Sequence, residues 1–347
     1  MLNIFVTGAT GLVGGEVCAR LVAAGHQVTA LIHRTPEIRA NDGTRVGVAQ
    51  TVSGDVAQDR FGWSAEQFSN IARAIDLVIH CAATVRFDLS EDEYAAVNVG
   101  GTQTALALAK AGDAAFLHVS TAYVCGTRDG PIAETDPLPA TGFANGYEAS
   151  KAAGERRVRS SGLPWAIARP SIVVGAHEDG AIRQFDTTYA AFKLIAEGRV
   201  TAMPARSGAT LDFVPIDHVA KGIVTVAERM DEATGETFHL VSGQPILVED
   251  FAAAIGRYPQ FRKPALVDPD RFDPTRLPAL ERRLYRRVAG LYATYFQRDP
   301  RFASERWHAF GGAACPSTGT DYIRRLIDFC ITEGFLPDAP TPQRMSG

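Results

Sequence analysis

Residues 7–14 read Thr7-Gly8-Ala9-Thr10-Gly11-Leu12-Val13-Gly14, between the apolar run Asn3 to Val6 and a small-residue stretch from Leu12 to Ala24. The first flank has the length of a buried strand and the second that of a helix. The chain carries 32 glycines in 347 residues, so three at this spacing arise by chance in roughly one chain in four. The placement therefore carries more weight than the pattern. Small residues at a strand-to-helix turn let the backbone approach a pyrophosphate, and the helix start offers amide donors and partial positive charge. Thr7, Gly8, Thr10, Gly11, Leu12, Val13 and Gly14 are accordingly expected to hold a dinucleotide.

Outward from this turn the pattern repeats. Near-continuous apolar runs at Gln27 to Ile32, Val48 to Val52, Asp76 to His80, Ala115 to Val119 and Trp165 to Ala168 alternate with helical stretches at Ala65 to Ala74, Asp92 to Ala111 and Tyr147 to Ser160. Strands buried on both faces read this way, which predicts an α/β fold with a doubly wound parallel sheet. Leu211 to Val214, Asp217 to Glu228 and Thr237 to Val241 resume the strand-helix-strand rhythm. The expected division is a dinucleotide-binding domain over residues 1–174, rejoined by 211–243, and a smaller C-terminal substrate-binding lobe from 175–210 and 244–347.

Composition narrows the classes of function. With 46% hydrophobic and 21% charged residues the chain can bury a large core, and a net charge of −4 argues against nucleic acid as partner. Five cysteines without a CxxC pair, and eight histidines without paired ligand spacing, predict neither a disulfide framework nor a metal site. There is no basic leader and no transmembrane segment, so a cytoplasmic protein is expected. Thirty arginines outnumber five lysines, which makes a lysine at a motif position informative.

Arg34 stands twenty residues beyond Gly14, just past the second strand, where a carboxylate would hydrogen-bond the ribose of NAD. An arginine there suits the 2′-phosphate of NADP instead, with His33 as a second contributor, so NADPH is the expected cofactor. Asp55 and Val56, after the third strand, are placed to meet the adenine, with a turn cap as the alternative role for Asp55.

Tyr147 and Lys151 are four apart at the start of a helix and share one face. A phenol titrating near pH ~10 needs a neighbouring cation to exchange protons near neutrality, and Lys151 provides one. Thr121, at the end of the fifth strand, adds a hydroxyl to hold a substrate oxygen. Tyr189 and Lys193 repeat the spacing, but they follow no hydroxyl-bearing strand end, so Tyr189 is read as core or pocket wall.

Together these features resemble the extended short-chain dehydrogenase/reductase superfamily, whose Rossmann domains pair TGxxGxxG with a Ser/Thr, Tyr and Lys triad; the likeness runs over nearly all of residues 1–243. The segments 80–87, 118–126, 169–175 and 212–217 look like those of fatty acyl-CoA reductases and carrier-protein thioester reductases. The resemblance implies that Thr121, rather than Ser120, is the triad hydroxyl, because Gly126 closes its motif five residues later. It implies that Asn98 organises the site around the lysine, and that Cys81, Ala82, Ala83 and Thr84 line the cofactor path. Pro170, Ile172 and Val173 would flank the nicotinamide.

The expected reaction is NADPH-dependent reduction of a carbonyl, first of all an acyl thioester going to aldehyde or alcohol. A small-molecule thioester, or one delivered in trans by a carrier protein, is the expected substrate. The alternatives are a ketone, hydroxysteroid or dihydroflavonol reductase, a nucleotide-sugar epimerase, and a non-catalytic dinucleotide sensor. Nine arginines against four carboxylates between Arg271 and Arg306 form a local basic region. The stripe Leu277, Leu280, Leu284, Val288, Leu291 and Tyr295 predicts a helix there that leaves Arg282, Arg283, Arg286 and Arg287 off its apolar face. Those arginines suit a solvated face, coenzyme A phosphates, an acidic carrier or an anionic membrane surface.

Overall fold

A computed structural model of the chain describes residues 1–339. Seven parallel strands make one sheet: β1 (Asn3–Thr7), β2 (Gln27–Ile32), β3 (Gln50–Ser53), β4 (Leu77–His80), β5 (Ala115–Val119), β6 (Trp165–Pro170) and β7 (Thr237–Leu240). Their spatial order is β7-β6-β5-β4-β1-β2-β3. The chain thus winds outward from β1 in one direction and, from β4, in the other. A crevice opens where the order reverses, beyond the C-terminal ends of β1 and β4.

The apolar runs are continuous because both faces of the sheet are covered. Alternate residues point to opposite sides. Phe5, Val78, Phe116 and Ile167 enter the core under α2 (Ala65–Ala72) and α3 (Gly101–Ala111). Ile4, Val6, Ile79 and Leu117 enter the core under α1 (Leu12–Ala23) and α6 (Ile216–Glu228). Phe5 is fully buried against Phe61 and Trp63, at ring distances of 5.8 and 6.0 Å. Its truncation to alanine would cost about 3–5 kcal/mol. A third core gathers α5 (Thr187–Ala196), α7 (Val248–Ile255), the turn Ala289–Gln297 and α9 (Thr320–Thr332) over the C-terminal end of the sheet. Among the described residues no helix is long and apolar enough to cross a membrane.

Three expectations need correction. The stretch from Asp92 to Ala111 is not one regular helix: a turn at Glu91–Tyr94 passes into a π-helical segment, Ala95–Gly100, before α3 begins. Leu211 to Val214 is not a strand of the main sheet. It splits at Asp212 into Thr210–Leu211, antiparallel to Ile246–Leu247, and Phe213–Pro215, parallel to Ile172–Val174. At the split the buried Asp212 carboxylate accepts from the Ser171 hydroxyl at 2.5 Å and the Ser242 amide at 2.8 Å. Finally, the arginine-bearing helix α8 (Ala279–Arg287) stops at Val288, whose φ of −135° and ψ of −71° are non-helical. The leucine stripe is therefore broken, and Leu280 is 70% exposed.

Candidate active site

The glycine turn is built by close backbone approach. Gly8 has φ +69°, and a Cβ there would lie 2.6 Å from the Ala82 amide nitrogen. A Cβ on Gly14 would lie 2.2 Å from the Gly8 carbonyl oxygen. At Gly11 the helix α1 begins without a side-chain cap and without an acidic residue in its first turn. Its leading amides are thus left for an external anion, as a dinucleotide pyrophosphate requires. Gly8, Gly11, Leu12, Val13 and Gly14 line a cavity of about 400 Å³. The residues present fit a dinucleotide.

Thr7 and Thr10 do not line that cavity. Thr7 is buried and starts a chain of hydrogen bonds running beneath it. Its hydroxyl accepts from the Ala82 amide at 3.3 Å and meets His80 Nδ1 at 2.8 Å; His80 Nε2 meets the Thr102 hydroxyl at 3.3 Å, which donates to the Asn98 carbonyl at 2.7 Å. These directions are mutually consistent only if His80 carries its proton on Nε2. Burial and the nearby Lys151 charge pull this imidazole down to about 3, so it stays neutral.

Asn98 lies in the π-helical segment, as such turns often do at functional sites. Its Oδ1 accepts from the Thr84 amide at 2.8 Å, and its Nδ2 donates to the Thr84 carbonyl at 3.2 Å and the Ser150 hydroxyl at 2.8 Å. Ser150 in turn donates to the Tyr147 carbonyl at 2.8 Å. Asn98 therefore joins the 81–84 loop to helix α4 (Gly146–Arg159). Cys81 and Ala83 line the cavity, while Ala82 and Thr84 serve through their amides. Burial pushes the Cys81 thiol up to about 12, which rules it out as a thiolate nucleophile near neutrality.

Thr121, Tyr147 and Lys151 come together on the cavity wall. Thr121 caps the short turn Ala122–Cys125, its hydroxyl accepting from the Tyr123 amide at 3.3 Å, and it lies beside the Tyr147 phenol. Burial, with Glu148 adding to it, raises the phenol above its ordinary value, and Thr121 pulls it down. The Lys151 ammonium donates to the Val119 carbonyl at 2.7 Å, and burial drags it down from 10.5 to about 8. The Lys151 ammonium is thus fixed on the end of the fifth strand, with Tyr147 on the same cavity wall.

From the triad the cavity runs into the third core, past Phe192, Ile195, Phe251, Phe296 and Leu326. It opens beside Val85, which is 51% exposed and lines it. Pro170, Ile172 and Val173 line it as well. Tyr189 is a buried part of the wall, its hydroxyl accepting from the Gly175 amide at 3.0 Å. Lys193 points elsewhere, donating to the Phe335 carbonyl at 2.5 Å.

The residues expected on the adenine side lie outside the cavity. Arg34 is exposed just past β2. Asp55 caps its own turn by accepting from the Ala57 amide at 2.9 Å, with its other oxygen 3.7 Å from His33. Val56 lies beside Gly101, at the start of α3. Of the four arginines on α8, Arg283, Arg286 and Arg287 are exposed, while Arg282 donates to the Thr275 carbonyl at 2.8 Å.

The family model of the male sterility protein, an NAD-binding domain, matches residues 6–223. The chain belongs to that family. It is an extended short-chain dehydrogenase/reductase with a nicotinamide dinucleotide site. An aldehyde reductase of Aspergillus flavus is 27% identical over 272 residues, covering 69% of this chain and 25% of that protein. The terminal R domain from the myxalamid PKS-NRPS pathway superposes with a TM-score of 0.84 at 26% identity, over 98% of this chain and 93% of that one. A thiolation-reductase di-domain from an archaeal non-ribosomal peptide synthetase shares the fold, with a TM-score of 0.70 at 20% identity over 96% and 76% of the two chains. The chain thus spans about a quarter or less of the length of the curated relatives it matches.

Several residues of this family member carry the site without having been visible in the sequence. His80, Thr102 and Ser150 form the hydrogen-bond chain, yet each reads as an ordinary strand or helix residue. Arg183 donates to the Gly11 carbonyl at 3.0 Å from a segment 172 residues away. The TGxxGxxG threonine and Asn98 were the available signals for that chain, since both ends of it are motif positions.

Proposed function

We propose that this protein is an NADPH-dependent reductase of acyl thioesters, yielding an aldehyde that a second round takes to the alcohol. The observation that carries the reading is that Thr121, Tyr147 and Lys151 line one cavity with the glycine turn and an apolar wall suited to an acyl chain. A bound nicotinamide dinucleotide supplies the hydride. Thr121 orients the carbonyl oxygen of the substrate, and Tyr147 gives its proton to that oxygen as negative charge develops there. Lys151, held on the Val119 carbonyl, keeps positive charge at the floor of the site, and Asn98 fixes the backbone of Tyr147 through Ser150. Loss of the thiol from the resulting hemithioacetal leaves the aldehyde.

Arg34, exposed beyond β2 where the ribose 2′-position is expected, supports NADPH over NADH. The thioester arrives as a coenzyme A ester or on a carrier protein; the likeness to reductase domains of peptide synthetases supports the carrier. Five unpaired cysteines support a reducing, cytoplasmic setting.

The test offers purified protein NADPH together with decanoyl-coenzyme A, a ketone panel and a sugar nucleotide, following NADPH absorbance and free thiol. Thiol release matching NADPH loss is expected. Ketone turnover without thiol release overturns the thioester reading, and tight cofactor binding without any turnover points to a dinucleotide sensor.

A further inference from the structure

We infer that Arg298, reaching into the base of α4 from the segment after the 289–297 turn, is a positioning residue for Tyr147 that acts through the buried carboxylate of Glu148. The inference rests on the reductase reading above, and goes beyond it in assigning a function to a residue 150 positions from the catalytic helix.

Glu148 directly follows Tyr147, and its side chain is fully buried, facing an Arg298 side chain only 5% exposed. Arg298 Nη2 donates to Glu148 Oε1 at 2.5 Å, and Nη1 reaches Oε2 at 3.4 Å. The Tyr295 hydroxyl donates to Oε1 at 3.1 Å, and the Ala144 amide donates to Oε2 at 3.1 Å. Arg298 Nη1 also donates to the Gly126 carbonyl at 2.9 Å. Its guanidinium lies over the rings of Tyr123 and Tyr295, 4.8 and 4.5 Å from their centroids. Phe87 completes the arrangement, with its ring 5.6 Å from Tyr147 and 5.9 Å from Tyr295. Tyr123, Tyr295 and Phe87 all line the cavity.

A buried ion pair is often no more stabilising than apolar residues of equal volume, so stability alone is a weak account of this one. Its position supplies a better account. The carboxylate belongs to the first turn of the helix that carries Tyr147, and the guanidinium packs against Tyr295 of the 289–297 turn, which lines the cavity. Breaking the pair frees the turn that aims the phenol. Glu148 favours the protonated form of the phenol, and Arg298 is ion-paired with that carboxylate, so losing Arg298 leaves the Glu148 charge beside the phenol uncompensated. The other groups facing this cluster are Thr121 at the phenol, Lys151 one turn along α4, Cys125 and Asp129 beside Arg298, and Asp212 beside Tyr123.

The test compares Arg298→Met, Arg298→Lys, Glu148→Gln and the paired variant Glu148→Gln/Arg298→Met with wild type, measuring kcat, KM for NADPH and the pH profile of kcat. Arg298→Met should lower kcat about 100-fold, as a displaced catalytic group does, with KM for NADPH within about threefold of wild type. Its basic limb should move up by about one pH unit, and that of Glu148→Gln should move down. Arg298→Lys should recover part of kcat with the limb unmoved, and the paired variant should return the limb to its wild-type place. Should Arg298→Met not fold, the paired variant and Glu148→Gln decide. Limbs that stay put or move in the same direction in all variants, or a kcat within about twofold of wild type, overturn the inference. If wild type reduces a ketone but no thioester, only the substrate reading fails, and the same profiles on the ketone still judge Arg298. A wild-type protein that reduces nothing overturns both.

Discussion

Lys151→Met should yield a protein without activity that is more stable than wild type at neutral pH. The Lys151 side chain is buried and its ammonium titrates near 8 instead of 10.5. Holding it charged at pH 7 therefore costs about 3 kcal/mol of folding stability. A methionine of similar length removes that cost, but leaves the Val119 carbonyl without the donor it has at 2.7 Å. That loss is worth about 1–2 kcal/mol, so the net gain at pH 7 is about 1–2 kcal/mol. The pH dependence has a definite sign. Between about 8 and 10.5 the unfolded chain binds the proton and the folded one does not, so wild-type stability rises with pH across that window. The penalty is complete below about 8. The advantage of the variant should accordingly shrink by about 3 kcal/mol between pH 7 and pH 10.5, and reverse. Urea unfolding of both proteins at pH 7, 8.5 and 10 measures this directly. A variant less stable than wild type at pH 7, or a difference constant with pH, would refute the reasoning: the ammonium would then be better solvated in the fold than its surroundings suggest.

Tyr147→Phe should lower kcat about 10²–10⁴-fold while cofactor binding, followed by NADPH fluorescence, is retained; if Tyr189→Phe gave that result instead, the proton donor would be the wrong tyrosine. Arg34→Ala should raise KM for NADPH about 10–100-fold and leave that for NADH within about twofold, and equal losses with both cofactors would remove Arg34 from the 2′-phosphate. Gly14→Ala places a methyl group 2.2 Å from the Gly8 carbonyl, so NADPH affinity should fall more than about 100-fold, and unchanged binding by titration would show that the turn yields. Reversing Arg283, Arg286 and Arg287 to glutamate should weaken turnover of a carrier-bound thioester relative to a coenzyme A ester; equal effects on both, or none, assign these arginines to solvation.

The main sheet was legible because its strands are buried on both faces. Ile4, Phe5 and Val6 fill two cores at once, and no other arrangement accounts for such short apolar runs flanked by helices. The glycine turn and the Tyr147–Lys151 spacing were legible because they are local. What escaped was set by tertiary context. Two- and three-residue strands such as Thr210–Leu211 are too short to show a period, and Asp212 interrupts them for a partner, Ser171, that lies 41 residues away. The leucine stripe on α8 failed because periodicity does not reveal that the helix ends at Val288. The π-helical segment around Asn98 has no compositional mark. Glu148 and Arg298 are 150 residues apart, and neither type of residue suggests burial on its own. Arg34 illustrates a different limit: it was placed by spacing alone, while Asp55 also accepts from the Ala57 amide in its own turn.

The neutral imidazole of His80 has one further property. It is fully buried, with both ring nitrogens engaged between Thr7 and Thr102. A ring proton so enclosed exchanges slowly with solvent, and in a proton–nitrogen correlation spectrum it should stand as a resolved downfield signal. His80 touches the glycine turn at one end and the Asn98 backbone at the other through these two threonines. Its resonance is therefore a built-in reporter, able to follow dinucleotide binding and the ordering of the catalytic side in a single experiment that needs neither substrate nor turnover.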